Sequence, residues 1–218
     1  MAPHEGNGGR KPRLKLDSDR LLLVEGKDEV NLFGALIRHR FGEGAPGIQL
    51  IDAGGKDKFP GNIEAIRIAA RARPTLRAIG AVRDADNDAG AAFQSVCAQL
   101  QNAGFQPPGQ HAGHSVGVPS VGVFIAPDGI NKGAIETLCR RSVEGSAIAG
   151  CVDQYLGCLE ENGALASKSP DKSFAHACLA ATEDPVARVG EGARAGAWDL
   201  GSEAFDGLAG FLAAILQA

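Results

Sequence analysis

The chain has 218 residues, 44% of them hydrophobic and 22% charged, with a formal net charge of −4. A chain of this length makes one medium domain, or a core with an appended piece. It buries roughly 70% of the surface its unfolded form exposes, so it needs neither disulfides nor a structural metal to hold a core. The apolar content excludes global disorder, no run approaches the ~18 apolar residues of a membrane span, and the slight acidity excludes a protein-wide basic field that gathers nucleic acid non-specifically.

Residues 1–19 read as a flexible tail, because they mix Gly, Pro, Lys and Arg and lack the apolar stretch of a secretory signal. The densest basic run, Arg10-Lys11-Pro12-Arg13-Leu14-Lys15, falls here and reads as solvated. Residues 21–24 are a short continuous apolar run, the mark of a strand covered on both faces of a parallel sheet, and the run ends at Glu25-Gly26. From Asp28 the pattern turns helical, with Val30, Phe33, Leu36 and Ile37 on one stripe and Arg38, His39 and Arg40 in the last turn before Gly42. A second strand at 48–51 leads into Asp52-Ala53-Gly54-Gly55-Lys56, and Asn62 is expected to cap a helix carrying Ile63, Ile66 and Ala70. A third strand at 77–82 runs into Asp84, and Ala92, Phe93, Val96, Cys97 and Leu100 mark the helix behind it. After a linker rich in Pro, Gly and His comes a fourth strand at 121–126, then a helix from Gly133 through Ile135, Leu138 and Cys139.

Four strands alternating with helices predict a three-layer, Rossmann-like α/β core over 20–145 with a mostly parallel four-stranded sheet and right-handed crossovers. Over 146–218 the strand signal fades and helical periodicity continues, notably at 174–181 and 205–216, which predicts a helical extension packed on the core. The cysteines Cys97, Cys139, Cys151, Cys158 and Cys178 form no Cys-x-x-Cys pair and have no histidine at zinc-ligand spacing. An odd number of thiols without a signal peptide points to a reduced, cytoplasmic protein, and Cys97, Cys139 and Cys178 read as small buried hydrophobes. His111 and His114 read as members of a surface loop.

In open α/β sheets functional groups collect outside the carboxyl ends of the strands. Three strand ends here are acidic: Glu25, Asp52, and Asp84 with Asp86. Within Asp84-Ala85-Asp86-Asn87-Asp88, residues two apart on extended backbone face the same side about 7 Å apart, so Asp84 and Asp86 can bracket one hard cation, with Asp88 joining through water. Two carboxylates about 4 Å apart cost roughly 4 kcal/mol at an effective dielectric of 20, which is the physical reason to expect Mg²⁺, or Mn²⁺, here. An EF-hand is excluded, because the sixth loop position is Ala89 instead of Gly and the twelfth is Ser95 instead of an acid. Capping of the helix that starts near Ala89 accounts for one of the three aspartates, and Asp28 as a helix cap with Glu25 as a plain strand end is the bland reading of Glu25-Gly26-Lys27-Asp28. Lys56 and Lys58 lie on the glycine-rich loop as candidate phosphate partners, although Leu50 and Asp57 stand where a Walker A motif requires Gly and Ser or Thr. Glu136, in the first turn after the fourth strand, is a candidate fourth carboxylate, although a glutamate in a first helical turn is also favoured by the macrodipole alone.

A strand-terminal Glu-Gly followed by a strand-terminal Asp-x-Asp resembles the Toprim domain, the catalytic core of type IA and type II topoisomerases, bacterial primases and OLD-family nucleases. Leu21-Leu22-Leu23-Val24-Glu25-Gly26 is similar to its first motif and Ala81-Val82-Arg83-Asp84-Ala85-Asp86 to its second. The Gly-Gly-Lys loop, the Gly-x-Ile-Glu-x-Leu segment at 133–138 and the late Gly-x-Trp-Asp resemble a group of uncharacterised bacterial Toprim-related proteins. The resemblance implies Glu25 as general acid or base and Asp84 and Asp86 as Mg²⁺ ligands in phosphoryl transfer. The expectation is therefore a Mg²⁺-dependent nuclease acting on DNA or RNA. The alternative is a non-catalytic Toprim-like module that binds nucleic acid or a partner protein. A haloacid-dehalogenase-like phosphatase fits less well, since its Asp-x-Asp usually sits on the first strand. The single tyrosine, Tyr155, lies in the helical extension, which argues against topoisomerase chemistry. OLD-type nucleases usually carry an ATPase module and this chain has none, so a separate ATPase partner is a further expectation.

Overall fold

A computed structural model describes residues 14–45, 47–165 and 167–218. The expectations for 1–13, including the basic residues Arg10, Lys11 and Arg13, lie outside the described residues. Four parallel strands form one sheet: β1 (Arg20–Val24), β2 (Gln49–Asp52), β3 (Ala78–Asp84) and β4 (Ser120–Ala126), in the order β2-β1-β3-β4. Between them run α1 (Lys27–Phe41), α2 (Phe59–Ala70) and α3 (Ala89–Asn102). After β4 come α4 (Ile135–Ser142), α5 (Ala147–Glu161), α6 (Pro170–Ala180), α7 (Val189–Arg194) and α8 (Asp206–Gln217).

The period-2 alternation of the strands sorts side chains to two cores. Leu21, Leu23, Ile79, Ala81, Val121 and Val123 face α2 and α3, which bring Ile63, Ile66, Val96 and Leu100. Leu22, Val24, Val82 and Phe124 face α1 and the C-terminal helices, which bring Leu32, Phe33, Leu36, Leu208 and Ile215. The sheet is thus the middle of three layers, and the helical extension completes one outer layer. Its seat is cut by two glycines paired in register, Gly80 on β3 and Gly122 on β4. A methyl group on Gly80 would collide with Ile215 of α8 and come within 2.6 Å of Leu22, and one on Gly122 would come within 2.8 Å of Phe211.

Several local expectations differ from the structure. Residues 14–19, read as the end of the tail, lie against the core: Leu16 is buried, and its carbonyl and that of Lys15 accept from Arg73 and Gln49. Asn62 does not cap α2, which starts three residues earlier; its amide donates to the carbonyls of Ala53 (3.1 Å) and Lys58 (2.9 Å) and braces the preceding loop. His111 and His114 are half-buried, because their segment folds back along the β4 edge through Ala112 N–H to Val123 O and Ser115 N–H to Val121 O, both 2.8 Å. That pairing covers an otherwise open edge. His111 Nδ1 accepts from Ile125 N–H at 3.0 Å, and His114 stacks on Phe211 at 5.0 Å. Cys139 and Cys178 are buried, Cys97 is half-buried, and Cys151 and Cys158 are exposed. Among the described residues no helix is long and apolar enough to cross a membrane.

Candidate functional site

The chain leaves β1 outward to β2, returns past β1 to β3 and continues to β4, so its direction reverses between the neighbouring strands β1 and β3. Such a switch point opens a crevice at the carboxyl ends of the strands. Glu25 follows β1 directly, and Asp84 ends β3. Glu25 Oε1 accepts from Asp84 N–H at 3.3 Å and lies 3.4 Å from Arg83 Nε. Asp84 Oδ1 accepts from Ile135 N–H at 3.1 Å, which ties the end of β3 to the N-terminus of α4. Asp86 stands at φ +51°, a left-handed conformation that aspartate tolerates better than most residues, and exchanges backbone hydrogen bonds of 3.0 and 2.9 Å with Gly133. Its Oδ2 pairs with Lys56 Nζ at 3.0 Å. Glu29 and Glu136 add buried carboxylates from the first turns of α1 and α4. These groups line a cavity of about 440 Å³ together with Lys172, whose ammonium lies 3.5 Å from Glu136 Oε1, and Arg188.

The carboxylates disfavour one another's charge. Burial, then the charges of Glu25, Asp28 and Glu136, pushes Glu29 up to about 7, against the opposing effect of its own backbone N–H. Asp84 is held well above its ordinary value, first by burial and then by Glu29, Glu25, Glu136 and Asp86. Glu25 is also raised, burial outweighing the Asp84 N–H and the Arg83 guanidinium. Lys56 is raised by its hydrogen bond to Asp86. Six carboxyl groups line the cavity against three cationic side chains, Lys27, Lys172 and Arg188, so acidic groups outnumber basic ones in the site.

The donor set, all carboxylate oxygens, is of the kind that suits a hard divalent cation. Asp86 already carries a cation, the Lys56 ammonium, on one oxygen. Among the described residues no three acid, histidine or cysteine side chains stand as a closed metal cage, so holding an ion requires the carboxylates to turn toward a common point.

Of the residues singled out in the sequence, Glu25, Asp84, Asp86 and Glu136 share this cavity, and Lys56 lines the cavity next to it. Asp88 and Lys58 line neither cavity. Asp88 Oδ1 accepts from Ala91 N–H at 2.8 Å as the N-cap of α3, and Lys58 lies in the turn before α2. Asp52 turns away from the rim, accepting from Gly54 N–H at 2.6 Å to close its own turn. Sequence reasoning missed Glu29, Asp28, Lys172 and Arg188. Glu29 had a readable signal: it occupies the same stripe as Leu32, Phe33 and Leu36, an acid at a core position of an amphipathic helix. Lys172 and Arg188 had none, because only the tertiary fold brings the extension back to β1.

Comparison with curated proteins and with solved structures gave no significant match. A family model described as "Protein of unknown function (DUF3226)" matches residues 19–217, a span that takes in the whole sheet, the carboxylate cavity and the C-terminal helices. The chain belongs to this DUF3226 family.

Proposed function

We propose that the protein is a Mg²⁺-dependent phosphoryl-transfer enzyme, served also by Mn²⁺, and that it is a nuclease acting on DNA or RNA phosphodiesters. The observation that carries this reading is the meeting of Glu25, Glu29, Asp84, Asp86 and Glu136 at the switch point, with Glu25, Glu29 and Asp84 all raised. Buried like charges are unfavourable for folding alone, and acids raised by burial and by one another in a crevice are candidates for a functional site. The resemblance of the Glu25-Gly26 and Asp84-x-Asp86 segments to Toprim motifs supports the same chemistry.

Asp84 and Asp86, with Glu29 and Glu136 beside them, are the residues that would hold the ion. A bound divalent cation supplies neutralisation of the charge that develops on the phosphoryl oxygens. Glu25, raised by burial, keeps a proton more readily than an exposed glutamate. It can donate that proton to the departing ester oxygen as the P–O bond breaks and a water oxygen bonds to phosphorus, the water's proton passing to solvent or back to the carboxylate. Lys172, which also lines the cavity and pairs with Glu136 at 3.5 Å, can turn to a non-bridging phosphate oxygen once Glu136 engages the ion.

The test is thermal unfolding with Mg²⁺ or Mn²⁺, alongside cleavage of labelled DNA and RNA strands. Metal at about 100 times its Kd should stabilise the wild type by roughly 2.7 kcal/mol, and the Asp84→Asn/Asp86→Asn variant should show no shift. Glu25→Gln should keep the metal shift and lose cleavage. Retention of nucleic acid without turnover at any metal concentration would overturn the catalytic reading in favour of a binding module.

A further inference from the structure

Beside the carboxylate cavity lies a second one of about 520 Å³. The two share Asp86, Ala134, Glu136 and Ser169 as lining residues, so they form one continuous trough. Past that shared boundary the charge reverses. The first cavity adds four acids, Glu25, Asp28, Glu29 and Asp84, against Lys27, Lys172 and Arg188, whereas the second adds Lys56, Lys132 and Lys168 against a single acid, Asp171, so the balance tips from acidic to basic. Asp171 is already engaged, by Thr137 Oγ1 at 2.6 Å and Arg140 Nη1 at 3.1 Å. Lys56 pairs with Asp86 at 3.0 Å, and among the described residues Lys132 and Lys168 make no ion pair.

Their backbones are placed by specific contacts. Lys132 precedes Gly133, which is tied to Asp86 by two backbone hydrogen bonds of 3.0 and 2.9 Å. Lys168 lies in the turn where Ser167 Oγ accepts from Ser169 N–H at 3.2 Å and donates to Ser169 O at 3.1 Å, directly before α6. An ammonium group recognises phosphate as a point charge, and contacts of this kind fix the register of a strand without reading its bases.

We propose that Lys132 and Lys168, together with Lys56, hold the phosphate next to the one undergoing cleavage, so that the substrate is a polynucleotide strand and not an isolated phosphomonoester or mononucleotide. The word "cleavage" here rests on the phosphoryl-transfer reading above, but the binding track does not. The charge reversal along the trough orients the strand, with the scissile phosphate at the carboxylates and its neighbour at the lysines.

The experiment is fluorescence anisotropy of a labelled single-stranded oligothymidylate of about 12 nucleotides, a length within the usual single-strand site sizes. It is run across a KCl series at fixed Mg²⁺ in a Glu25→Gln background that leaves the strand intact. Each lost phosphate contact lowers the slope of log K against log salt by about 0.7, so Lys132→Ala/Lys168→Ala, which releases the one phosphate these lysines hold, should flatten it by about 0.7. Lys132→Arg/Lys168→Arg should keep the slope, and Lys15→Ala, at the opposite end of the strands, should leave it unchanged. An unchanged slope in the double alanine variant, an equal fall in Lys15→Ala, or no binding of the oligonucleotide overturns the proposal. Wild-type hydrolysis is scored separately. Binding with the expected slope loss but no hydrolysis removes the phosphoryl-transfer reading and leaves the track standing, whereas hydrolysis with an unchanged slope does the reverse.

Discussion

Glu29→Gln is the substitution whose effect the structure sets most directly. The carboxyl group is buried, faces the charges of Glu25, Asp28 and Glu136, and is pushed from its ordinary 4.5 to about 7. An acid raised in the folded state binds more protons folded than unfolded between those two values. Its contribution to stability is therefore fully present below pH 4.5 and is lost as pH rises through about 7. At 1.36 kcal/mol per unit the loss is on the order of 3 kcal/mol, or roughly 6–12 °C in Tm for a chain of this size. Glutamine keeps the shape and removes the titration. The assay is urea unfolding of metal-free protein in EDTA from pH 5 to 8.5. The variant and the wild type should be close at pH 5 and diverge upward in pH, with the variant more stable by about 3 kcal/mol at pH 8. A gap that does not change with pH, or a variant less stable than wild type at pH 8, would refute the argument that burial and like charge dominate at this position. Saturating Mg²⁺ should shrink the gap, since a cation removes the repulsion that Gln relieves.

Two further substitutions separate structural from site roles. Asp88→Ala removes the N-cap of α3 and should cost about 1 kcal/mol in urea unfolding while leaving the Mg²⁺-induced Tm shift intact; disappearance of that shift would make Asp88 a ligand. Gly190→Ala places a methyl group against the Asp28 carbonyl and 2.6 Å from Asn31 Cβ, where α7 meets α1. It should destabilise by about 1–3 kcal/mol and change the emission of the single tryptophan, Trp198, whose indole N–H donates to Val189 O at 2.9 Å; a variant as stable as wild type with unchanged emission would show that the two helices are not in tight contact.

The sheet was legible because its strands are continuous apolar runs ending in acids, and the period-2 sorting of Leu21 and Leu23 from Leu22 and Val24 follows from backbone geometry. The strand order was not legible, since nothing local states that β1 pairs with both β2 and β3. That pairing sets Glu25 beside Asp84 and leaves Asp52 on the edge strand, so a rim of acids read from strand ends alone placed one carboxylate too many. The Asp-x-Asp-x-Asp run misled in a similar way. Asp84 and Asp86 reach the cavity because the Gly133 bridge bends the chain at Asp86, and that same bend delivers Asp88 to the start of α3. Lys172 and Arg188 were beyond reach for a different reason: in sequence they look like any solvated cations of a helical segment, and their meaning arises from docking of the extension.

That docking bears on why acidic groups outnumber basic ones in the site. Glu29 and Glu136 stand in the first turns of α1 and α4, where the macrodipole favours a carboxylate by about 0.3–1 kcal/mol. For Glu29 the balance nonetheless runs against ionisation by an amount on the order of 3 kcal/mol, so burial and neighbouring acids outweigh the helix end several-fold. The extension brings Lys172 and Arg188 to the same cavity, yet six acidic side chains still meet three basic ones. A cavity whose only task was to join two layers would be more stable lined with apolar side chains. A cavity that must grip a divalent cation gains from carboxyl groups held together in advance, because the repulsion present in the free protein is released when the ion arrives. On that argument the instability expected of metal-free protein above pH 7 and its rescue by Mg²⁺ have one cause, and Glu29→Gln should weaken both together.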